Sequence, residues 1–353
     1  MTPAEHQVTG IRIAAQRLNC SVESMEFLTG DVSHRRYIRL HSDSGTRIAC
    51  CYPEPFNLAE SASERFRRLR SEDSGIHLTW ASDPLAFIES TEWFSRIGIP
   101  VPEIYDVYDD LGIVILQDIG DVSLQSIIHS NADEIESYYL TALSYIDRIQ
   151  ESSHRINHRD MLARLLKLDA EKLGDELELL LRGIGSFIPE IRDKFDESEL
   201  RTEWRMLAEL AAPETPVLCH RDYHARNLYI FKNTLFVIDH QDLRMGHFGY
   251  DCASLLYDPY VSFTCDQRDR LRDTRGSYSM DRLAPVIIQR LLKAVGTYIN
   301  EVNMRRNVGF LRSISTATGD IKKFFDNDMM VGMPITVYLV DAIHERVITF
   351  KPE

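Results

Sequence analysis

At 353 residues the chain exceeds the length that one hydrophobic core usually supports, which predicts two lobes or domains. Its 44% hydrophobic and 27% charged residues are typical of a globular protein and argue against a disordered, collagen-like or disulfide-scaffold chain. A formal net charge of -14 disfavours binding to a nucleic-acid backbone, which requires clustered Lys and Arg.

Targeting and membrane signals are the next class to consider. The N-terminal segment lacks the charged-then-apolar order of a signal peptide, and no uncharged apolar run approaches the roughly 18 residues that span a bilayer. The six cysteines show no C-x-x-C pair and no zinc-finger spacing, which fits a reducing compartment. We therefore expect a cytoplasmic protein without nucleic-acid or membrane partners; the sequence carries no signal for its oligomeric state.

The first third of the chain has the pattern of a small antiparallel sheet. Apolar positions within residues 1–20 predict a leading helix, and MEFLTG, RRYIRL and TRIACCY, within residues 25–52, predict three short strands. Residues 56–82 are predicted to form a helix and a surface loop. Asp83 and Pro84 favour the start of a helix that Gly98 ends, because proline is tolerated in the first helical turn.

From residue 99 onward a second hairpin leads into helices. The segment IPVPEIYDVYDDLGIVILQDIGD, residues 99–121, predicts two further strands around an acidic turn. After residue 122, apolar residues recur every three or four positions, which predicts amphipathic helices. We place the boundary between two lobes near residue 119. The terminal MPITVYLVDAIHERVITF, with its β-branched alternation, predicts a strand or a buried terminal element.

The most informative stretch is VLCHRDYHARNLYIFKNTLFVIDHQD, residues 217–242. A strand-like entry leads to His220, Arg221 and Asp222, four further residues lead to Asn227, and a short hairpin then leads to Asp239. This order matches the H-R-D-x-x-x-x-N catalytic loop and the later metal-binding Asp of protein kinases.

Phosphoryl transfer gives a physical reason for this spacing. The reaction needs a carboxylate that orients the attacking hydroxyl and a divalent cation that neutralises the phosphates. Asp222 suits the first task. Magnesium takes oxygen ligands, usually one or two carboxylates with phosphates and water, so Asp239 and the amide oxygen of Asn227 suit the second.

Four segments, taken in order, resemble one known superfamily. They are GDVSHRRYIRL, GIPVPEIYDVYDDLGIVILQDIGD, HRDYHARN and IDHQDLRMGHFGYDCASLL. Together they resemble the aminoglycoside phosphotransferase and choline kinase superfamily and, within it, bacterial sugar kinases that phosphorylate the anomeric hydroxyl of N-acetylmuramate and N-acetylglucosamine during cell-wall recycling. The resemblance covers roughly residues 25–315.

This resemblance implies an α+β, protein-kinase-like two-lobed fold with a small antiparallel-sheet N-lobe and a larger, mainly helical C-lobe. The nucleotide-binding lobe would be residues 1–119, and the catalytic and acceptor-binding lobe residues 120–353. The implied cofactors are ATP and Mg²⁺, with Asn227 and Asp239 as metal ligands and Asp222 as the catalytic carboxylate.

The resemblance also implies roles for residues around this core. Gln117 and Ile119 would pair with the adenine edge through their backbone groups. His220 would be structural, and Asp251 would brace the catalytic loop through Arg221 or a backbone amide. Apart from the resemblance, the segment YDPY, which includes Asp258 and follows Asp251 in the chain, is a weaker candidate for the acceptor pocket.

Two departures from the protein-kinase pattern concern the nucleotide phosphates. The phosphate loop, which begins at Thr29, has one glycine, Gly30, so that contacts would come from its backbone, from Asp31 and from the Ser33 hydroxyl. The strand IACCY lacks the expected lysine, so Glu89 or Glu92 would lack its usual partner. An arginine of RRYIR could substitute for that lysine.

Three hypotheses about function remain open from the sequence. The first is an ATP-dependent kinase for the anomeric hydroxyl of an amino sugar. The second is a kinase for another alcohol, such as choline or an aminoglycoside, which would need an acidic or aromatic pocket for the ammonium groups. The third is a nucleotide-binding regulator that has lost turnover.

Overall fold

The computed structural model describes residues 10–14, 16–17, 22–28, 35–43, 45–72, 83–129, 132–156, 161–191, 193–261, 263–274 and 279–350. The chain divides into two compact units. Unit 1 comprises Met1–Ser123, Ser152–Leu166 and Asn227–Leu243, and unit 2 comprises Leu124–Glu151, Lys167–Arg226 and Arg244–Glu353. The proposed lobes, 1–119 and 120–353, stay a prediction, since each unit is assembled from several chain segments.

Unit 1 is built on a five-stranded antiparallel sheet with strand order β1-β2-β3-β5-β4. The strands are β1 (Val22–Leu28), β2 (Arg36–Ser42), β3 (Gly45–Cys51), β4 (Ile104–Tyr108) and β5 (Ile113–Gln117). A 3-10 turn joins β4 to β5 and ends at Gly112, whose φ of 65° favours glycine. Both predicted groups of strands are therefore confirmed.

Both faces of this sheet are covered, which agrees with the continuous apolar run of β5. Ile38 and Ala49 pack on one face against Ile11, which lies in the helical residues 10–14. Cys50 and Val114 pack on the opposite face against a cluster that contains Phe87. Because successive side chains of a strand point to opposite faces, β3 contributes to both clusters.

Two helices of unit 1 lie in the chain between β3 and β4. They are α1 (Ala62–Glu72) and α2 (Pro84–Arg96). Helix α2 has Asp83 at its N-cap position and Pro84 in its first turn, and the nearby Gly98 has a φ of 76°, as the sequence predicts. The Asp83 side chain does not cap the helix and instead accepts a 2.6 Å hydrogen bond from Arg65.

Unit 2 is mainly helical, as predicted for the chain after residue 122. Its helices are α3 (Ala132–Glu151), α4 (Ala170–Asp175), α5 (Glu178–Phe187), α6 (Glu197–Ala211), α7 (Tyr250–Leu256), α8 (Cys265–Asp273), α9 (Met280–Arg305), α10 (Phe310–Lys322), α11 (Asp328–Val331) and α12 (Pro334–Ile348). Helix α9 is the longest of these and packs against α5, α6, α7 and α10. At Gly296 a Cβ would lie 2.8 Å from the Leu180 backbone nitrogen, so glycine permits the close approach of α9 and α5.

The terminal segment of unit 2 corrects one prediction. Residues 334–348 form helix α12 rather than a strand, with Pro334 in its first turn. Its buried residues include Thr336, Leu339, Val340 and Ile343, which recur at three- and four-residue spacing. The β-branched composition hid this helical period, whose buried face determines the structure here.

Two further strand pairs position the motif residues. Strands β6 (Val217–Cys219) and β9 (Arg244–Gly246) pair within unit 2. Strands β7 (Leu228–Phe231) and β8 (Thr234–Val237) form a hairpin within unit 1. Over the described residues, no helix combines the length and the apolar character needed to cross a membrane.

Candidate active site

The catalytic loop, residues 220–227, begins where β6 ends in unit 2, and its first turn is held by one carboxylate. The His220 N–H donates to Asp251 Oδ2 at 2.7 Å, and the Arg221 N–H donates to Oδ1 at 2.9 Å. Asp251 is fully buried in the first turn of α7. A carboxylate that accepts two amide hydrogens fixes the backbone of the loop. The predicted bracing contact of Asp251 is confirmed, and the His220 ring is buried against Tyr223.

Arg221 turns away from solvent and holds the loop to α4. Its φ of 79° lies in the left-handed region, which a non-glycine residue adopts only when its surroundings enforce it. The guanidinium donates to Glu176 Oε1 at 2.8 Å; the Glu176 side chain is buried, and 12% of the Arg221 side chain is exposed. Burial would raise the pKa of Glu176, but Lys293, Arg221 and Lys172 outweigh it and lower that pKa to about 2.

Asp222, the predicted catalytic carboxylate, lies in a strongly cationic environment. The ammonium of Lys293, on α9, is 3.5 Å from Asp222 Oδ1. Burial would raise the pKa of Asp222, yet Lys293, Arg221 and Arg290 together hold it far below its usual range. The carboxylate keeps 36% of its side-chain surface exposed, so a substrate can reach it.

The far end of the catalytic loop is held by a second buried carboxylate. Asp258 accepts hydrogen bonds from the backbone N–H groups of Ala225 and Tyr260, each at 2.9 Å. It is only 1% exposed. These contacts give the Asp258 carboxylate a structural role, and an acceptor role for the segment YDPY stays a prediction. In contrast, the Tyr260 ring is half-buried and lies 3.6 Å from the Arg226 guanidinium.

In unit 1, the hairpin β7–β8 brings the two predicted metal ligands to the same end. Lys232 and Asn233 make the turn with φ of 49° and 61°, as a tight two-residue turn requires. At the open end, the Ile238 N–H donates to the Asn227 carbonyl at 3.0 Å. Asn227 thus lies beside the residue that immediately precedes Asp239.

Asp239 forms an ion pair with Arg35, which directly precedes β2. The Arg35 guanidinium lies 3.2 Å from Asp239 Oδ1, and the Gln241 amide donates to the same oxygen at 2.8 Å. Arg35 is almost completely buried, whereas 42% of the Asp239 side chain is exposed. Magnesium takes oxygen ligands, and the exposed part of the Asp239 carboxylate is a ligand of that type.

The backbone of Asp239 is also constrained. Its φ of 60° lies in the left-handed region. The next residue, His240, is fully buried, stacks on Phe87 at 5.2 Å and is hydrogen-bonded to the Ser90 hydroxyl at 2.8 Å. His240 therefore anchors Asp239 to helix α2, which is how the surroundings can maintain an unfavourable φ.

The strand IACCY lacks the lysine of the protein-kinase pattern. Cys50 of β3 is fully buried and lies among the electrostatic neighbours of Arg35. Glu89 instead forms an ion pair with Arg65 of α1 and accepts the Leu162 N–H at 3.2 Å. Arg65 also pairs with Asp83 at 2.6 Å.

The predicted adenine-binding segment follows β5. The Gln117 N–H donates to the Glu103 carbonyl at 2.8 Å, and Ile119 is 7% exposed. Between them, Asp118 binds Arg39 at 2.8 Å, which ties this segment to β2. The predicted phosphate-loop contacts, Gly30, Asp31 and Ser33, lie outside the described residues.

Sequence reasoning missed two residues of the site, Lys293 and Glu176. Lys293 is distant in sequence from Asp222, so spacing could not link them. One signal was present: Gln289, Arg290 and Lys293 interrupt the apolar run PVIIQRLLKAVGTYI. A charged residue in a buried helix requires a partner, which points to an internal site.

The chain is similar to known proteins in sequence and in fold. Two curated relatives are named N-acetylmuramate/N-acetylglucosamine kinase. The Caulobacter vibrioides protein is 25% identical over 246 residues, 66% of each chain. The Pseudomonas aeruginosa protein is 26% identical over 219 residues, 58% of this chain and 60% of its own. The chain thus spans slightly less than two thirds of the length of these relatives.

Solved structures show the shared fold at low identity. The ADP-bound aminoglycoside phosphotransferase APH(2'')-Ib matches 96% of this chain and 98% of its own, with a TM-score of 0.53 and 13% identity. A choline/ethanolamine kinase family protein from Mesorhizobium loti matches 98% of this chain and 100% of its own, with a TM-score of 0.54 and 12% identity. The predicted α+β, protein-kinase-like fold is confirmed. The model of the phosphotransferase enzyme family matches residues 24–286, and the chain belongs to this family.

Proposed function

We propose that this protein is an ATP-dependent kinase that phosphorylates a hydroxyl of a small molecule, most specifically the anomeric hydroxyl of N-acetylmuramate or N-acetylglucosamine. One observation carries the proposal: an exposed, ionised Asp222 on a loop that two buried carboxylates hold in place. The names of the curated relatives support the amino-sugar acceptor. We further propose that the reaction serves cell-wall sugar recycling in the cytoplasm.

In the proposed reaction, Asp222 accepts a hydrogen bond from the acceptor hydroxyl and orients its oxygen toward the γ-phosphorus of ATP. The new O–P bond forms as the bond between this phosphorus and the ADP oxygen breaks. The hydroxyl proton passes to Asp222 and then to solvent. A carboxylate whose pKa is this low is a weak base, so its main contribution is orientation rather than early proton removal.

The residues of unit 1 would bind the nucleotide. Asn227 and Asp239 would hold a divalent cation, which neutralises the charge on the phosphates when it is bound. We propose Arg35 as the cation that substitutes for the missing strand lysine, since it already pairs with Asp239. Backbone groups of Gln117 and Ile119 remain our proposed contacts to adenine, with Gly30, Asp31 and Ser33 as proposed phosphate contacts.

The test is an acceptor panel in which ADP release is followed with magnesium and ATP. The panel holds N-acetylated sugars, hexoses, choline and aminoglycosides. Sugar-dependent release supports the proposal, and release that depends only on choline or aminoglycosides contradicts the assigned acceptor. Nucleotide binding without release for any acceptor favours a catalytically silent regulator.

Replacement of the catalytic carboxylate tests its assigned role. Asp222→Asn keeps the shape of the side chain and removes its charge, so kcat should fall about 10²- to 10⁴-fold while the protein remains folded. The matched control is Asp341→Asn, which removes a surface carboxylate of unit 2 that pairs with Lys322. Near-normal rates for Asp222→Asn would contradict the role.

A further inference from the structure

Helix α9 carries three polar side chains in an otherwise apolar buried stretch. Gln289 donates to the Leu173 carbonyl at 3.0 Å, and Arg290 donates to the Ser254 hydroxyl at 2.7 Å. Both residues are buried and hold α9 to neighbouring elements of unit 2. These contacts give them a structural role.

Lys293 differs from these two residues in what it contacts. Its ammonium lies 3.5 Å from Asp222 Oδ1, and 15% of the Lys293 side chain and 36% of the Asp222 side chain remain exposed. A ligand that reaches the Asp222 carboxylate therefore also meets the Lys293 ammonium. The proposed reaction places the acceptor hydroxyl at this carboxylate.

The charges around this pair have an excess of cations. Burial and the neighbouring Arg221 lower the pKa of Lys293, whereas Asp222 and Glu176 oppose that change. The charged and titratable groups that interact electrostatically with Asp222, Lys293 or Glu176 in unit 2 include Lys172, Arg221, His224, Arg244, Tyr250 and Arg290. The carboxylates of Asp251 and Asp258 are bound to backbone amides.

We propose that Lys293 is a catalytic residue on the acceptor side of the transfer, which holds the Asp222 carboxylate by an ion pair and gives the acceptor site a positive charge. The inference rests on the proposed kinase function and narrows its substrate class. An acceptor with an ammonium group near the reacting hydroxyl meets a like charge, whereas a neutral or carboxylate-bearing acceptor does not.

Matched acceptors test the charge of the site. Glucosamine and N-acetylglucosamine share the anomeric hydroxyl but differ in charge at pH 6.5. For the wild-type protein, kcat/KM should be at least about 10-fold lower for glucosamine. In Lys293→Met this difference should shrink, because the ammonium is gone and the Asp222 charge then attracts the amine.

The pH profile of kcat provides a second readout, which a purely structural lysine would not move. An opposite charge within about 4–6 Å lowers a carboxyl pKa by about one to three units, so Lys293→Met should move the acid limb to higher pH by that amount. Lys293→Arg, which keeps the charge, should restore both the profile and the selectivity. Lys322→Met, which removes a surface charge of the same unit, should change neither.

The possible outcomes separate the two proposals. Equal selectivity and an unmoved acid limb in a folded Lys293→Met protein would overturn the role of Lys293 and leave the kinase proposal intact. Faster turnover of ammonium-bearing alcohols than of neutral ones by the wild-type protein would also overturn the role of Lys293 and leave the kinase proposal intact. A wild-type protein that is inactive with every acceptor would overturn both. If Lys293→Met does not fold, two other results test the role of Lys293. They are the selectivity and pH profile of Lys293→Gln, and the comparison of glucosamine with N-acetylglucosamine in the wild-type protein.

Discussion

Two buried ion clusters in the molecule have opposite balances of charge. In unit 1, Arg65 pairs with both Asp83 and Glu89, and burial raises the pKa of Glu89 to about 7 despite that cation. In unit 2, Asp222 faces several cations, and its pKa is lowered. Burial disfavours the ionised form of both acids, so the number of cationic partners decides which form of the carboxyl is favoured.

The largest expected effect comes from separating the roles of the two motif acids. Asp239→Asn removes the charge that we assign to metal binding, so kcat should fall at least about 100-fold and the magnesium concentration that gives half-maximal rate should rise. Asp222→Asn should lower kcat without that change in magnesium dependence. Titration of the rate with magnesium chloride checks both variants, and the same magnesium dependence for both would contradict distinct roles.

The two buried braces of the catalytic loop offer a direct comparison. Asp251→Asn and Asp258→Asn each weaken hydrogen bonds to two backbone amides. A displaced loop should lower kcat by up to about 100-fold, and the free energy of unfolding should fall by about 1–3 kcal/mol. Steady-state kinetics and urea unfolding measure the two effects. Loss of stability with unchanged kcat would show that a brace does not position Asp222.

Substitution of Arg35 asks whether the arginine acts on the nucleotide. Because charge-assisted hydrogen bonds contribute about 1.5–3 kcal/mol, Arg35→Met should raise the KM for ATP about 10-fold or more. The KM of Arg35→Lys for ATP should lie between those of the wild-type protein and Arg35→Met, since lysine retains the charge without the planar guanidinium. Arg36, on the neighbouring exposed position, supplies the control Arg36→Met. An unchanged KM for ATP would restrict Arg35 to a structural role.

The smallest expected effect concerns stability in the acid-rich cluster of unit 1. Because the folded protein holds the Glu89 proton up to about pH 7, against an ordinary pKa of 4.5, the unfolded chain binds fewer protons between these values. The free energy of unfolding contributed by this group should therefore fall as pH rises through this window, by at most about 3 kcal/mol.

Glu89→Gln should flatten that dependence, which urea unfolding at pH 5, 6 and 7 measures. Glu64→Gln, at an exposed position of the same unit, is the control. A pH dependence identical to that of the wild-type protein would mean that Glu89 is ionised throughout the window.

The local pattern was enough to predict some parts of the molecule and not others. The strands of the first third, the start of α2 at Pro84 and the Asp222 motif follow from neighbours in the sequence. The pairing of Arg35 with Asp239 and of Lys293 with Asp222 joins distant parts of the chain, so no periodicity encodes it. Helix α12 was predicted only as a strand or a buried terminal element, because its β-branched residues mask a helical spacing.

The way in which the chain is shared between the two units has a consequence for recombination. The backbone passes from one unit to the other five times, at 123/124, 151/152, 166/167, 226/227 and 243/244. A fragment that ends at Ser123 would lack the β7–β8 hairpin, whose Ile230 and Val237 amides donate to the Val122 and Pro100 carbonyls. Chimeras between family members must therefore exchange three separate gene segments together, and a single crossover would leave a hybrid with mismatched partners.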